Sequence, residues 1–267
     1  MIYIIELLLP LLGTISGAAM IFILKDNLKL ATQKAFLGFA SGIMIAAAIW
    51  SLLIPSISFA EILSEGSVHP KLIKLLLPTA GFILGILFLL LLDVVTPHLH
   101  SHSNMPEGPK GVSKKLSKST LLFLAILLHN IPEGLAVGVS LSGYLNLAHM
   151  EIISFSQTLA LSIAIALQNF PEGAIVSIPM WQSGASKLKA FGLAVFSGIV
   201  EPLAALLVLI IPLKNALPVS LAFASGAMIY VVTEELIPQA HEGEHSNIPT
   251  IALAIGFITM LVMEILL

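Results

Sequence analysis

Long apolar stretches separated by short polar ones dominate this sequence. A helix that spans a bilayer needs about 20 mostly apolar residues, and eight stretches meet that length. They lie at about 2–24, 35–57, 72–95, 119–142, 150–178, 188–211, 216–238 and 248–267. The pattern predicts an all-α integral membrane protein with eight transmembrane helices, here helices 1 to 8, in one domain covering residues 1–267.

The longest polar stretch, residues 96–118, separates helices 3 and 4. It contains His98, His100 and His102 together with prolines and lysines. This composition favours a flexible loop over a regular element. Its histidines could bind a metal ion loosely.

The lysines predict how the chain is oriented, since its twelve basic residues are all lysine. Nine of them lie in the stretches joining helices 1–2, 3–4 and 5–6, and three lie on the opposite side. Positively charged loops remain in the cytoplasm, so 96–118 is predicted to be cytoplasmic and both termini outside. The first stretch lacks the basic start of a signal peptide, and we expect it to be retained as helix 1.

An internal repeat relates the two ends of the chain. Residues 39–45 of helix 2 (FASGIMI) match residues 223–229 of helix 7 (FASGAMI). Weaker echoes follow in the same order: 16–17 with 197–198 in helices 1 and 6, and 81–83 with 256–258 in helices 3 and 8. Helix n therefore matches helix n+5. An odd offset predicts a 3+2+3 inverted-repeat arrangement with substrate near the midplane, although glycine and serine also recur at ordinary helix contacts.

Composition agrees with a membrane protein and narrows its partners. Hydrophobic residues make up 57% of the chain and charged residues 10%, against about 25% charged in soluble domains. The absence of cysteine excludes disulfides and thiolate ligands, which argues against soft metals such as Cu(I). The net charge of −3, without a basic and aromatic patch, gives no sign of a nucleic-acid partner.

The chemistry is concentrated in two matching motifs, 129–134 in helix 4 (HNIPEG) and 168–173 in helix 5 (QNFPEG). Residues three and four apart share a helix face, so each polar pair flanks the glutamate of its own motif. Each proline removes one backbone hydrogen bond, and each glycine allows a neighbouring backbone to come close. Opposed, the two faces would form a cage of imidazole, carboxylate and carboxamide groups.

Three carboxylates lie deep within the predicted helices: Glu133, Glu172 and, in helix 6, Glu201. Ionisable groups at such depth are costly and usually functional, and no lysine lies near them in the sequence. They need protons or a bound cation. Together with His129 they suit Zn(II), Fe(II) or Mn(II) better than Mg(II). Hydrogen bonds between helices are the structural alternative.

The eight helices, the histidine-containing loop and both motifs resemble the ZIP family (Zrt-/Irt-like proteins), and within it the GufA-like branch. The resemblance implies a two-metal site between helices 4, 5 and 6. The first position would comprise His129, Glu133, Gln168 and Glu172, and the second Asn130, Asn169 and Glu201, with Glu133 and Glu172 bridging. In the eukaryotic branch a motif rich in His and Glu stands at Gln168 and Asn169, and some relatives have Asp in place of Asn169.

The resemblance also implies an activity. Divalent transition-metal ions, zinc foremost and then iron, manganese or cadmium, would be transported towards the cytoplasm as substrate, with no cofactor and no enzymatic step. It further implies a homodimer in the lipid bilayer of a prokaryotic plasma membrane. Helices 1, 4, 5 and 6 would move like an elevator against helices 2, 3, 7 and 8.

Two other functions are alternatives to transport by a carrier. An intramembrane metalloprotease would need a zinc set such as His-Glu-x-x-His, which the chain lacks; Glu234 and Glu235 resemble part of a CAAX-type protease motif, but no arginine completes it. A selective ion channel, which needs weak sites that ions leave quickly, is the second alternative. Asp93 could be an entrance or exit ligand or a solvated helix end, and Glu234, Glu235 and His241 could receive metal or form an ordinary polar loop.

Overall fold

The computed structural model describes residues 2–24, 28–98, 109, 118–147, 152–182, 184–213 and 216–267, and these residues contain helices and no strand. Eight of the helices are long and apolar enough to cross a membrane. The all-α, eight-span prediction is thereby confirmed. His100 and His102, with most of the predicted 96–118 loop, lie outside the described residues.

The eight helices are labelled α1 to α8 in chain order. Their spans are Tyr3–Ile23, Leu30–Ser64, Pro70–Val95, Phe123–Leu145, Phe155–Gln182, Lys187–Leu209, Leu217–Ala240 and Ile248–Leu266. The fourth is helical over Lys118–Leu147, while the first and sixth each consist of two helical segments that meet at Ala19 and Ile199. Most bounds lie within a few residues of the predicted ones.

Pro55 and Pro238, near the predicted ends of helices 2 and 7, lie inside helical segments. In α2 a π-helical turn, Ala48–Leu53, precedes Pro55, and the helix continues to Ser64. In α7 a second π-helical turn, Val232–Leu236, precedes Pro238. Proline has no N–H and clashes with the carbonyl four residues earlier. The wider turn accommodates the proline, so the helix continues past it.

The helices pack in pairs that follow the predicted repeat. The principal contacts join α2 with α8, α3 with α7, α1 with α5, and α4 with α6. Exchanging helices 2 with 7 and 3 with 8 converts the first pair into the second. Exchanging 1 with 6 and 4 with 5 converts the third pair into the fourth. The pairing is thus unchanged by this exchange of helices, and the inverted repeat itself stays a prediction.

Close glycine contacts define how α3 corresponds to α8. Gly256 of α8 packs against the carbonyl of Phe39, and Gly85 of α3 packs against the carbonyl of Phe223. Phe39 and Phe223 begin the two matching heptapeptides, so Gly256 corresponds to Gly85. The pairing of residues 81–83 with residues 256–258 is therefore one helical turn out of register.

The helix ends define two faces of the molecule. We call the end where α1 and α5 begin the Glu6 face, and the end where α3 and α7 finish the His98 face. On the His98 face Lys34 Nζ donates to the carbonyl of Glu244 over 2.8 Å, and Lys187 Nζ donates to the carbonyl of Leu24 over 3.3 Å. The α1–α2, α5–α6 and α7–α8 connections therefore lie together, as alternating crossings require.

Candidate metal centre

The two repeated motifs meet in the middle of the molecule. Gln168 Nε2 in α5 donates to Glu133 Oε1 in α4 over 2.6 Å, and both side chains are 0% exposed. Both helices continue through their prolines, Pro132 and Pro171. The polar faces of the two motifs are thus opposed, which is the condition for the predicted cage.

A second set of contacts adds α6 and α1 to the centre. Asn169 Nδ2 donates to Glu201 Oε2 over 2.7 Å and lies 3.3 Å from the carbonyl of Pro10. Asn130 Nδ2 donates to the carbonyl of Ser197 over 3.0 Å. The second residue of each motif therefore faces α6 or α1, while Gln168, the first residue of its motif, links α5 to α4.

Thr14 of α1 belongs to this centre and was missed by sequence reasoning. Its Oγ1 lies 3.4 Å from Glu201 Oε1 and 3.4 Å from the carbonyl of Pro10. A threonine in an apolar helix commonly bonds the carbonyl four residues earlier, so its presence gave no warning. Its place between the small residues Gly13 and Gly17 was the signal that could have marked a buried, closely packed face.

His129 turns away from the Gln168–Glu133 contact. Its Nε2 lies 3.0 Å from Glu235 Oε2, in the π-helical turn of α7. Glu172 interacts electrostatically with both His129 and Glu235. These three side chains form one group on the His98 side of the centre, so Glu235 is part of the helical framework rather than a polar loop.

The carboxylates of Glu133, Glu172 and Glu201 are close enough for their charges to interact. Among the described residues no three His, Asp or Glu side chains are placed closely enough to hold a metal ion by themselves. Any cation held here would therefore need amide oxygens in addition to carboxylates and imidazole.

Such amide oxygens are present. Within the described part of the chain, four buried oxygens of the predicted ligand set have no hydrogen-bond partner: Asn130 Oδ1, Glu133 Oε2, Gln168 Oε1 and Asn169 Oδ1. Leaving a buried acceptor unpaired costs roughly 1–3 kcal/mol. Four unpaired oxygens in one centre match the chemistry of a site for a hard or borderline cation.

The glycines of the two motifs hold the centre together. A Cβ at Gly134 would lie 2.3 Å from the carbonyl oxygen of Glu201, and a Cβ at Gly173 would lie 2.2 Å from that of Thr14. The prediction that these glycines admit a neighbouring backbone is confirmed. The close contacts bring Glu201 and Thr14, from α6 and α1, against the two motifs.

At the His98 face Asp93 pairs with a histidine. His98 Nε2 lies 2.9 Å from Asp93 Oδ1, and His98 Nδ1 lies 2.8 Å from the carbonyl of Thr96. Burial alone would lower the pKa of His98. The hydrogen bonds to Asp93 and Thr96, together with the charges of Asp93 and Glu235, outweigh it and raise the pKa to about 9.

We expect His98 to titrate at about pH 9 rather than near its ordinary value of 6.5. Since the folded pKa exceeds the unfolded one, the pair stabilises the fold fully below about pH 6.5 and the contribution is lost as pH rises through about 9. NMR of the histidine ring protons measures the pKa, and Asp93→Asn should lower it. Titration of His98 near pH 6.5 in the unsubstituted protein would contradict the assignment.

The fold and the centre define a multi-pass helical membrane protein with a buried carboxylate, amide and imidazole centre between its helices. A family model described as ZIP Zinc transporter matches residues 112–264. The chain is 38% identical to zinc transporter GufA of Myxococcus xanthus, over 95% of each chain. It is 37% identical to zinc transporter ZIPB of Bordetella bronchiseptica, over 87% of this chain and 71% of the relative. It is 30% identical to human zinc transporter ZIP11, over 94% and 93%. The chain belongs to the ZIP family of zinc transporters.

Proposed function

We propose that this protein carries divalent transition-metal ions, zinc foremost, across a membrane through the centre between α4, α5 and α6. The observation that carries the proposal is the set of four buried, unpartnered oxygens beside three interacting carboxylates. A divalent cation would satisfy both the oxygens and the charges. The similar proteins named zinc transporters support zinc as substrate; iron, manganese and cadmium are further candidates.

The residues of the centre supply enough ligands for two metal positions. The first would use Glu133, Gln168, Glu172 and His129, and the second would use Asn130, Asn169 and Glu201, with Glu133 and Glu172 shared. Each position already contains one carboxylate–amide contact, Gln168 with Glu133 and Asn169 with Glu201. A half-turn of the terminal amide replaces its N–H donor by an oxygen ligand. The same side chains can therefore hold the carboxylates or a cation.

The route from the centre continues towards the His98 face. His129 and Glu235 lie next to Glu172, and the charge of Glu235 also acts on His98. We infer that metal leaves the first position past these groups and past Asp93. The lysine distribution favours a cytoplasmic His98 face with both termini outside, and the family resemblance supports inward transport in a prokaryotic plasma membrane.

A dimer and an elevator-like motion belong to the same proposal. Only 22% of the apolar stretch of α3 and 17% of that of α8 are buried within the chain. These are the two lowest buried shares among the eight spans described, so both helices are available to lipid or to a second copy. They belong to the group α2, α3, α7 and α8, against which α1, α4, α5 and α6 would move as the family resemblance implies.

Zinc uptake into liposomes by the purified protein tests the proposal. We expect saturable uptake that Fe(II), Mn(II) and Cd(II) inhibit and that Mg(II) does not, because the centre combines imidazole with oxygen ligands. Uptake no faster than in protein-free liposomes would refute transport. A rate that rises linearly with zinc concentration without saturating would favour a channel.

Replacing Glu201 by Gln should affect only the second metal position. The side chain holds Asn169 and Thr14 and makes no hydrogen bond to Glu133 or Gln168. Glutamine preserves the acceptor for Asn169 but removes the charge. We expect a changed uptake rate or ion preference with one zinc still bound per chain, measured by equilibrium dialysis and elemental analysis. Loss of all bound zinc from the folded variant would show that the two positions are not separable.

A further inference from the structure

Another buried carboxylate, Glu6 of α1, lies outside the centre described above. Its side chain is 0% exposed. Glu6 Oε1 accepts a 3.0 Å hydrogen bond from Thr158 Oγ1 in α5, and Glu6 Oε2 is buried with no hydrogen-bond partner in the described part of the chain. A buried carboxylate without a counter-charge is costly. Packing alone gives no reason for one here.

Three polar residues and one apolar residue, Ile165, lie on the surface of α5 between Glu6 and the metal centre. Thr158, Ser162, Ile165 and Asn169 are spaced by four, three and four residues and therefore lie on one side of the helix. Thr158 contacts α1 at Glu6, and Asn169 contacts α1 at the carbonyl of Pro10. Ser162 lies between them, and its Oγ is buried without a hydrogen-bond partner among the described residues.

The facing surface of α1 offers oxygens at the same levels. Pro10 lies inside the helix and has no N–H, so the carbonyl of Glu6, four residues earlier, loses its usual helical donor. The carbonyl of Pro10 itself lies within hydrogen-bond distance of Asn169 and Thr14. The carboxylate of Glu6, the carbonyl of Pro10 and the hydroxyl of Thr14 thus follow one another along α1, and Thr14 lies next to Glu201.

Three aromatic rings lie together at the Glu6 end of these polar groups. The ring centroids of Tyr3 and Tyr144 are 6.2 Å apart, and that of Phe155 lies 6.4 Å from Tyr3 and 5.8 Å from Tyr144. Tyr3 and Phe155 lie one turn before Glu6 and Thr158 on their helices. These rings lie one turn outside Glu6 along the two helices, so an ion entering from the Glu6 face would have to pass them.

We propose that Glu6, with Thr158 and Ser162, forms an outer cation station. It would take a divalent ion from the Glu6 face and pass it along the α1–α5 contact to Asn169 and Glu201. This inference rests on the proposed transport function and adds an intermediate site that precedes the centre. The station offers only oxygen ligands, which hold zinc less firmly than imidazole does. Brief binding is what a site before the centre requires.

The hydrogen bond on Glu6 can be exchanged without leaving a buried donor unpaired. Thr158 Oγ1 also lies 2.9 Å from the carbonyl of Phe155. When a cation binds Glu6, the threonine hydroxyl can donate to this carbonyl instead. Both carboxylate oxygens of Glu6 then become ligands.

Glu6→Gln tests the station because it keeps the side-chain shape and the acceptor for Thr158 but removes the charge. We expect the KM for zinc uptake into liposomes to rise by at least about tenfold, since an acidic entrance raises capture of a cation by that order or more. Equilibrium zinc binding at the centre should keep its wild-type stoichiometry. The matched control is Glu61→Gln, an exposed carboxylate on the same face that pairs with Lys74 over 2.7 Å, and it should transport normally.

A residue-specific measurement completes the test. A hydrophobic carbodiimide should modify Glu6, located by peptide mass spectrometry, and zinc should slow that modification. The protection should persist in the Glu133→Ala, Glu172→Ala double variant, where the centre has lost its two bridging carboxylates. Wild-type KM in Glu6→Gln, absence of protection by zinc, or loss of zinc from the centre in Glu6→Gln would each overturn the station. If the double variant transports zinc normally, the proposed function fails; if only Glu6→Gln does, the station alone fails.

Discussion

Replacing Glu133 and Glu172 together by alanine should reduce zinc uptake to the level of protein-free liposomes. The two glutamates occupy matching places in the motifs of α4 and α5, and their charges interact with each other. Without them the centre keeps one carboxylate, Glu201, for an ion of charge +2. An uncompensated cation deep in a membrane protein is strongly disfavoured, so both metal positions should be lost.

The double variant should still fold and insert, because removing two buried charges offsets the loss of the hydrogen-bond acceptor for Gln168. Its melting temperature and its elution as a single species check this. The matched control is the double variant Glu61→Ala, Glu65→Ala, which removes the same charge from exposed positions and should transport zinc like the unsubstituted protein. Wild-type uptake by a well-folded Glu133→Ala, Glu172→Ala protein would refute the assignment of the centre.

The membrane fold could be predicted from the sequence because a spanning helix must satisfy its backbone hydrogen bonds within itself, which leaves length and apolarity as sufficient signals. The same signals could not define where α2 ends. Pro55 indicates a helix end by its missing N–H, yet the preceding π-helical turn lets α2 continue to Ser64. Whether a proline ends a helix or bends it depends on neighbouring helices, and one helix's sequence does not contain that information.

The centre was predictable only where its residues repeat. The matching motifs marked Glu133 and Gln168 as candidate site residues, and a 2.6 Å hydrogen bond joins them. Thr14 and the carbonyl of Pro10 were missed because the glycines beside Thr14 indicate a close helix contact without indicating which helix makes it, and that is known only once α1 is packed against α5. The partner of His129 was missed for the same reason, since Glu235 reaches it from α7, more than a hundred residues along the chain.

Replacing Gly134 or Gly173 by alanine should damage both stability and transport. The added Cβ would lie 2.3 Å or 2.2 Å from a backbone oxygen, a distance at which one helix must move. Overpacking of this kind costs about 1–3 kcal/mol. The displaced backbone is that of Glu201 in one variant and that of Thr14 in the other. The hydrogen bonds that orient the second metal position should therefore lengthen or break in both.

Gly192→Ala separates this effect from the general consequences of removing a glycine. Gly192 also lies in a helix, α6, but a Cβ there would meet no atom within 4 Å. Alanine at such a position stabilises a helix by roughly 0.5–1 kcal/mol, so the melting temperature should stay level or rise and uptake should be unchanged. In Gly134→Ala and Gly173→Ala the melting temperature should fall. If about 1.4 kcal/mol of the strain falls on metal binding, zinc affinity should drop tenfold. Equal melting temperatures and equal uptake in all three variants would mean that the close approach of α4 to α6 and of α5 to α1 does not hold the centre in place.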